Sequence, residues 1–235
     1  MVMKDNVPTV VQKWTVSGLI EMKILNSREE WLQARRNFIG GSDASAVLGM
    51  NPYKTNVELW EEKTGLLVPE DIGDKPYVKY GHEAEPLLRG LFALDFPEYE
   101  VHYQDNNIFL NDKYPFAHAS LDGWLTELET GRRGILEIKT TNILQSMQKE
   151  KWNDRIPDNY FIQVLHYLMV TEADFAILKA QLKYDFGGDI MCQVKHYKIE
   201  RADVLEDLKI LESSERQFWK QVQEQKRPGL VLPEI

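Results

Sequence analysis

The segment GILEIKTT, residues 134–141, constrains the fold of this chain more than any other. Glu137 and Lys139 stand there among Ile135, Leu136 and Ile138 in a strand-like run. Because side chains alternate along a strand with a period of two, both charged groups project from the same face. Burying a carboxylate and an ammonium group is costly unless they have a further partner, such as a metal ion. The segment therefore predicts a central strand with a polar site on one face.

A second carboxylate stands in the preceding strand-like run, HASLDGW, where Asp122 closes the run and Gly123 lets the chain turn. If the two runs pair as neighbouring strands, Asp122 and Glu137 lie close together. Adjacent carboxylates repel each other unless a divalent cation lies between them, and hard oxygen ligands favour Mg²⁺ or Mn²⁺. Lys139 would then orient and deprotonate a metal-polarised water, which is the chemistry of phosphodiester hydrolysis. On spacing alone, a structural ion-pair network is the alternative.

Helical patterns fill most of the N-terminal half. The segment SREEWLQARRNF predicts a helix capped by Ser27, and SDASAVLGM predicts a short second helix capped by Ser42 or Asp43. The junction between them, RRNFIGGSDASAVLG, places guanidinium and hydroxyl groups beside a helix start, a combination that suits an anion. Further helices are predicted at 57–65 and in YGHEAEPLLRGLFALDF, where Pro86 lies in the first turn or marks a kink.

Strand-like runs dominate the second half: NIFL, FAHASLDGWL and GILEIKTT, the last after the turn GRRG. The segment DNYFIQVLHYLMV predicts a buried helix capped by Asp158, and DFGGD joins FAILKAQLKY and IMCQVKHYKI into a hairpin. An amphipathic helix, ADVLEDLKILESSERQFWKQVQEQ, closes the chain. This order of elements predicts an α/β fold with a mixed central β-sheet flanked by α-helices.

Composition limits the architecture and the class of activity. With 235 residues and 43% apolar content, we expect a single domain over 1–235, in which residues 1–25 show no period and form a loosely attached arm. Without an apolar run of 18 residues or an export signal, we expect a cytoplasmic protein with no membrane contact. The single cysteine, Cys192, excludes a cysteine-based metal cluster. The net charge of −9 argues against non-specific coating of nucleic acid, but not against DNA contact within a groove.

The run D122-x14-E137-x-K139 resembles the core of the PD-(D/E)xK nucleases, and other segments resemble the lambda-exonuclease family, also called YqaJ-type viral recombinases. RRNFIGGSDASAVLG is similar to the N-terminal signature of that family, YGHEAEP to its acidic helix, HASLDGW to its Ser-x-Asp-Gly strand and LEIKTT to its catalytic strand. YFIQVLHYLMV resembles the Gln-x-x-x-Tyr element. One departure is visible, because Leu121 stands in place of the proline, which we expect only to shape the turn. The resemblance implies a PD-(D/E)xK nuclease-like core.

Through this resemblance, Asp122 and Glu137 are implied metal ligands, with the backbone carbonyl of Ile138 as a third. The implied cofactor is Mg²⁺, which Mn²⁺ can replace, with one or two ions per site. Lys139 is implied to activate the water. Two further positions match catalytic residues of the family, Glu85 as an acid that binds or supports the metal and Gln163 as a helix residue that helps to place substrate or water. Read alone, Glu85 is a favourable helix-dipole partner and Gln163 a satisfied polar core residue.

The resemblance also implies a pocket for a 5′-phosphate made of Arg35, Ser42 and Ser120, with Arg36 as the alternative to Arg35. A guanidinium group and two hydroxyls can recognise a dianion that exists only at the end of a strand. The implied reaction is 5′-to-3′ digestion of one strand of linear double-stranded DNA to mononucleotides, which leaves a 3′ single-stranded overhang. The implied setting is phage-type recombination in a bacterial host, with DNA ends and a single-strand annealing protein as partners and a homotrimer as the assembly.

Two rival interpretations remain at this point. A restriction-type DNA endonuclease would share Asp122, Glu137 and Lys139, and a non-catalytic DNA-end-binding module would need none of them for binding. A Cas4-like nuclease would need four cysteines for an iron-sulfur cluster, and this chain has only one cysteine, which excludes that class. An apolar side chain near the mouth of the site would separate the strands, and the candidates for this wedge are Trp14, Met50 and Tyr53, each of which is otherwise a core residue.

Overall fold

The computed structural model describes residues 10–13, 20–70, 72–144 and 146–232. Its strands and helices alternate along the chain in the predicted α/β manner. The strands are β1 (Val10–Lys13), β2 (Ile20–Ile24), β3 (Tyr99–His102), β4 (Asn107–Asn111), β5 (His118–Ala119), β6 (Gly123–Glu127), β7 (Arg133–Ile143), β8 (Phe175–Phe186) and β9 (Asp189–Glu200). The helices are α1 (Arg28–Arg36), α2 (Gly41–Val47), α3 (Asn56–Lys63), α4 (Pro76–Asp95), α5 (Ser146–Glu150), α6 (Asp158–Thr171) and α7 (Leu205–Gln223), with a 3-10 turn at Arg201–Val204.

The strands form two sheets. The larger has the order β3-β6-β7-β8-β9, in which β7 and β8 are parallel and the other neighbours are antiparallel. The parallel pair is joined through α5 and α6, as a crossover connection requires. The smaller sheet is antiparallel, with the order β1-β2-β4-β5. The predicted mixed sheet flanked by helices is therefore confirmed, and the second sheet was not predicted.

The two faces of the larger sheet carry separate clusters of buried side chains. On one face, Ile135 belongs to the main core with α6 and α7. On the other, Leu136 and Ile138 pack in a smaller cluster with Leu88 and Phe92 of α4. Because β7 alternates between the two faces, this assignment places Glu137 and Lys139 on the face that meets α6.

The expectation that residues 1–25 form a loosely attached arm is partly wrong. Residues 20–24 form strand β2, which lies between β1 and β4, and Ile20 and Met22 are 0% and 4% exposed. Five alternating residues are too short a pattern to recognise without the partner strand. Residues 1–9 and 14–19, and with them the wedge candidate Trp14, lie outside the described residues.

Three local predictions at helix starts need correction. The N-cap of α2 is Gly40, whose N–H donates to the Asp43 carboxylate at 3.2 Å, so neither Ser42 nor Asp43 caps the helix. Pro157, and not Asp158, caps α6. Pro86 lies inside α4, which begins ten residues earlier with Pro76 at its first position. A capping side chain within one or two positions of the true cap looks the same in sequence, which is why the caps of α2 and α6 were misplaced. No helix in the described part of the chain is long and apolar enough to cross a membrane.

Candidate active site

The start of β6 lies against the middle of β7. Gly123 pairs with Leu136, and the same antiparallel register continued by one residue places Asp122 opposite Glu137. Asp122 lies in the bend just before β6, not at the end of the preceding strand as expected. Its carboxylate accepts a hydrogen bond from the backbone N–H of Ile138 at 2.9 Å. Asp122, Glu137 and Lys139 line one cleft of about 280 Å³, so the structure brings the three residues together.

Glu137 is the most buried acid of this cleft, with 1% of its surface exposed. One carboxylate oxygen, Oε1, lies 2.6 Å from Lys139 Nζ, and the other, Oε2, has no hydrogen-bond partner among the described residues. Burial, reinforced by the nearby Asp122 charge and opposed by Lys139, raises the pKa of Glu137 to about 8. Burial alone would lower the pKa of Lys139, but Glu137 and Asp122 together raise it above its ordinary value.

Glu85 reaches the cleft from α4, where Arg89 stands one turn later. Arg89 Nη1 donates to Glu85 Oε1 at 2.9 Å and also to the backbone carbonyl of Asp122. Burial and the Asp122 charge raise the pKa of Glu85 to about 7, and Arg89 opposes this shift. Sequence reasoning missed Arg89, although its i,i+4 spacing from Glu85 is a signal for an ion pair on one helix face.

Gln163 and Tyr167 line the cleft from α6. Gln163 Nε2 donates to the Tyr167 hydroxyl at 2.9 Å, which links the two side chains one turn apart. Helix α2 packs closely against this turn, because a Cβ atom at Gly41 would lie 2.4 Å from Cε1 of Tyr167. Gly41 therefore allows α2 to approach α6 beside the cleft.

The predicted phosphate-binding residues separate into two groups. Arg35 and Ser120 line the cleft, and Trp31 joins them, because its Nε1 donates to Ser120 Oγ at 3.2 Å and its ring centroid lies 4.1 Å from the Arg35 guanidinium carbon. Ser42 lies outside the cleft and is exposed on the first turn of α2. Gly41 faces Tyr167, so the next residue, about 100° further round the helix, projects away.

The alternative arginine, Arg36, lines a different cavity together with Glu62 and Lys63. Consecutive residues of a helix point in directions about 100° apart, so Arg35 and Arg36 cannot serve the same pocket. Of the two, Arg35 lies with the carboxylates. The wedge candidates Met50 and Tyr53 are 44% and 85% exposed, so neither is a core residue.

The donor atoms of the cleft fit a hard divalent cation only in part. Among the described residues, no three His, Cys, Asp or Glu side chains are arranged to hold an ion as they stand. Two carboxylates, Asp122 and Glu137, do face the same cleft, and the unpartnered buried Oε2 of Glu137 is the atom that most needs a positive partner. Oxygen donors of this kind select Mg²⁺ or Mn²⁺ over softer metals. Glu85 is engaged by Arg89 and would have to turn to join them.

Known proteins are similar to most of this chain. The family model of the YqaJ-like viral recombinase domain matches residues 30–174. The uncharacterized protein YqaJ of Bacillus subtilis (strain 168) is 34% identical over 194 residues, which cover 82% of this chain and 56% of that protein. The chain thus spans about half the length of this curated relative.

Solved structures show the same fold at low sequence identity. An alkaline exonuclease, LHK-Exo from Laribacter hongkongensis, is similar with a TM-score of 0.57 and 15% identity over 85% of this chain and 96% of that one. The complex of LHK-Exo with dAMP has a TM-score of 0.56, also at 15% identity and with the same coverage. A phage related exonuclease from Haemophilus somnus 129PT has a TM-score of 0.50 and 14% identity over 80% of this chain and 96% of that one.

Proposed function

This chain belongs to the YqaJ-like viral recombinase family, and from that premise we propose that it is a divalent-metal-dependent nuclease that digests one strand of linear double-stranded DNA from the 5′ end. The observation that carries the proposal is that Asp122, just before β6, lies opposite Glu137 of β7, with Lys139 in the same cleft. Two acids and a lysine around a cleft provide what phosphodiester hydrolysis needs, namely ligands for a cation and a donor group for a water molecule.

Each side chain of the cleft has a separate role in the proposed hydrolysis. A bound Mg²⁺ ion would be held by Asp122 and Glu137, with the Ile138 carbonyl as a further ligand, and would supply Lewis-acid stabilisation of the scissile phosphate. Lys139 Nζ lies 2.6 Å from Glu137 Oε1, in the same cleft as both acids. There it would orient the attacking water and help to activate it, with the cation sharing the charge of the two acids. Gln163, tied to Tyr167, presents an amide that orients substrate or water.

Recognition of a strand end is assigned to Arg35 and Ser120. The guanidinium group of Arg35 is stacked on Trp31, which limits its freedom before a ligand binds. Ser120 precedes Asp122 by two residues, so a 5′-phosphate bound there would stand next to the reaction centre. An anion pocket that close to the acids favours attack from an end over attack within a duplex. Ser42 is left out of the pocket because of its exposed position.

The proposal extends to the products and the assembly. Digestion would release mononucleotides and leave a 3′ single-stranded overhang for recombination, with a single-strand annealing protein as the partner that takes the overhang. A homotrimer enclosing the DNA would account for processive digestion. These parts rest on membership of the family, and light scattering of the purified chain with and without duplex DNA tests the assembly directly.

One substrate experiment tests the proposed activity. A linear duplex labelled at one 5′ end is incubated with Mg²⁺ or with a chelator, and a supercoiled plasmid is treated in parallel. We expect labelled mononucleotide from the duplex only when Mg²⁺ is present, an intact plasmid, and no turnover by Asp122→Ala, which still binds the duplex. Cleavage of the plasmid would favour the restriction-type alternative. Inactivity of the wild type towards every duplex, with DNA binding retained, would favour the non-catalytic end-binding module.

A further inference from the structure

Asn107, the first residue of β4, holds the backbone of the segment that carries Asp122. Its side chain is buried, with 4% of the residue exposed. Oδ1 accepts the N–H of Leu121 at 2.8 Å, and Nδ2 donates to the carbonyl oxygens of Leu121 and Gln104, each at 2.9 Å. Because a backbone N–H meets the oxygen and two carbonyls meet the nitrogen, the amide has only one orientation that satisfies all three partners.

Leu121 needs these bonds because it lies between strands. It belongs to neither β5 nor β6 and is 2% exposed, so its backbone N–H and C=O are buried without a strand partner. Such groups must be paired, and the Asn107 amide pairs both, as a neighbouring strand would. The Leu121 carbonyl belongs to the peptide bond that leads into Asp122. Asn107 therefore fixes the backbone immediately before Asp122, and Arg89 binds the carbonyl immediately after it.

The position of the Asp122 carboxylate depends on this backbone. Asp122 precedes the first paired residue of β6, so the strand ladder alone does not hold it. Its carboxylate nevertheless meets the N–H of Ile138 at 2.9 Å, which requires a defined backbone direction. We propose that Asn107 is a positioning residue that aims the Asp122 carboxylate at Ile138 and Glu137. The catalytic consequence rests on the function proposed above, whereas the positioning itself does not.

Asn107 also connects this segment to α1. Its backbone carbonyl accepts a hydrogen bond from Trp31 Nε1 at 3.0 Å, and the same N–H lies 3.2 Å from Ser120 Oγ. The end of β4 thus holds both the segment before Asp122 and the indole that stacks on Arg35. Asn107 of the smaller sheet thus contacts two parts of the cleft, Leu121 through its side-chain amide and Trp31 through its backbone carbonyl.

Asn111, at the other end of β4, is a matched control. It is 2% exposed, its Nδ2 donates to the Val170 carbonyl at 2.9 Å, and its Oδ1 accepts the Lys113 N–H at 3.0 Å. Asn107→Ala and Asn111→Ala therefore remove the same buried amide from the same strand, one beside the cleft and one away from it. Asn107→Ser is the milder variant, because its hydroxyl keeps one polar group beside the Leu121 and Gln104 backbone without adding a charge.

The test compares these variants by amide hydrogen exchange at Ile138, by calorimetry with Mn²⁺, and by steady-state digestion of duplex DNA. We expect Ile138 to exchange about tenfold faster in Asn107→Ala than in Asn111→Ala, because its acceptor is displaced. We also expect weaker Mn²⁺ binding, and kcat lowered about 10- to 100-fold with little change in KM, since an error of about 1 Å in placing a group costs this much. Asn107→Ser should show the same changes in smaller size.

Equal exchange of Ile138 in the Asn107 and Asn111 variants would overturn the positioning role, whatever the activity. Faster exchange confined to the Asn107 variants would support it, even if the wild type cleaved no DNA. In that case the proposed nuclease function would fail while the positioning of Asp122 would stand. If Asn107→Ala does not fold, the comparison between Asn107→Ser and Asn111→Ser decides by the same exchange measurement.

Discussion

Glu137 and Lys139 form an ion pair of 2.6 Å in the cleft while the second oxygen of Glu137 has no hydrogen-bond partner among the described residues. Oε1 of Glu137 is thus paired with an ammonium group, whereas Oε2 lacks a hydrogen-bond donor in the described part of the chain. Because Glu137 is almost completely buried, bulk water does not solvate Oε2. The unpartnered Oε2 is the atom on which the proposed cation would bind.

Lys139→Ala should abolish most turnover without unfolding the chain. We expect the rate of duplex digestion to fall about 10²- to 10⁴-fold, the usual contribution of a group that transfers or orients a proton. The matched control is Lys23→Ala, which removes a lysine of another Glu-x-Lys sequence whose ion pair with Glu21 is more exposed. Digestion by Lys23→Ala should stay within about twofold of wild type, as surface pairs contribute little. Near-normal turnover by Lys139→Ala would remove Lys139 from the mechanism.

Arg35→Ala should reduce the advantage of a 5′-phosphorylated end. Hydrogen bonds to a charged group are worth about 1.5–3 kcal/mol, so digestion of phosphorylated duplex should slow about 10- to 100-fold, with little change for a 5′-hydroxyl duplex. The adjacent Arg36→Ala removes an identical charge that faces another cavity, and it should leave both rates unchanged. If wild type digests the two duplexes at equal rates, or if the two variants behave alike, the assignment of the phosphate to Arg35 and Ser120 is wrong.

The buried pair of His166 and Glu215 should make stability depend on pH. His166 Nδ1 lies 2.7 Å from Glu215 Oε1 and Nε2 lies 2.8 Å from the His118 carbonyl, and both side chains are fully buried. Burial would lower the pKa of His166, but Glu215 and the His118 carbonyl raise it overall. Because the folded-state pKa exceeds the unfolded value of about 6.5, the stabilisation is complete below that pH. It is lost as the pH rises through the raised pKa.

Urea unfolding of wild type and Glu215→Gln at several pH values checks this dependence. Removing one partner of a buried ion pair costs about 3–5 kcal/mol, and the variant should also lose the decline of stability at alkaline pH. Glu212→Gln is the control on the same helix, since Glu212 pairs with Arg216 at a more exposed position. A decline that persists unchanged in Glu215→Gln would assign the pH dependence to other groups.

Gly41→Ala should disturb the cleft through Tyr167. The added methyl group would lie 2.4 Å from the Tyr167 ring, so the ring and the hydrogen-bonded Gln163 must move, at a cost of about 1–3 kcal/mol in the free energy of unfolding. Gly90→Ala in α4 is the control. No atom lies within 4 Å of its added Cβ, and alanine in a helix interior should stabilise by about 0.5–1 kcal/mol. Thermal unfolding measures both, and stabilisation by Gly41→Ala would contradict the close packing of α2 on α6.

The structure explains which sequence predictions succeeded. Strand β7 was predicted from alternation within the strand itself, and the hairpin of β8 and β9 from two long runs around a Gly-Gly turn, so both signals are local. The short strand β2 and the caps of α2 and α6 were missed or misplaced because their signals span only a few residues. Ser42 was assigned to the phosphate pocket by resemblance. The direction of its side chain depends on the packing of Gly41 in α2 against Tyr167.

The sequence by itself determined that Glu137 and Lys139 share one face of an apolar strand, since side-chain alternation follows from the backbone alone. It also placed a further acid, Asp122, in the preceding strand-like run. Only the tertiary structure decided that Arg35 and not Arg36 reaches this cleft, that Arg89 binds the Asp122 backbone, and that Asn107 holds Leu121. These contacts join residues on different helices and sheets, in some cases dozens of residues apart in the chain. The relative placement of such elements depends on how their buried faces pack, and no short stretch of sequence contains that information.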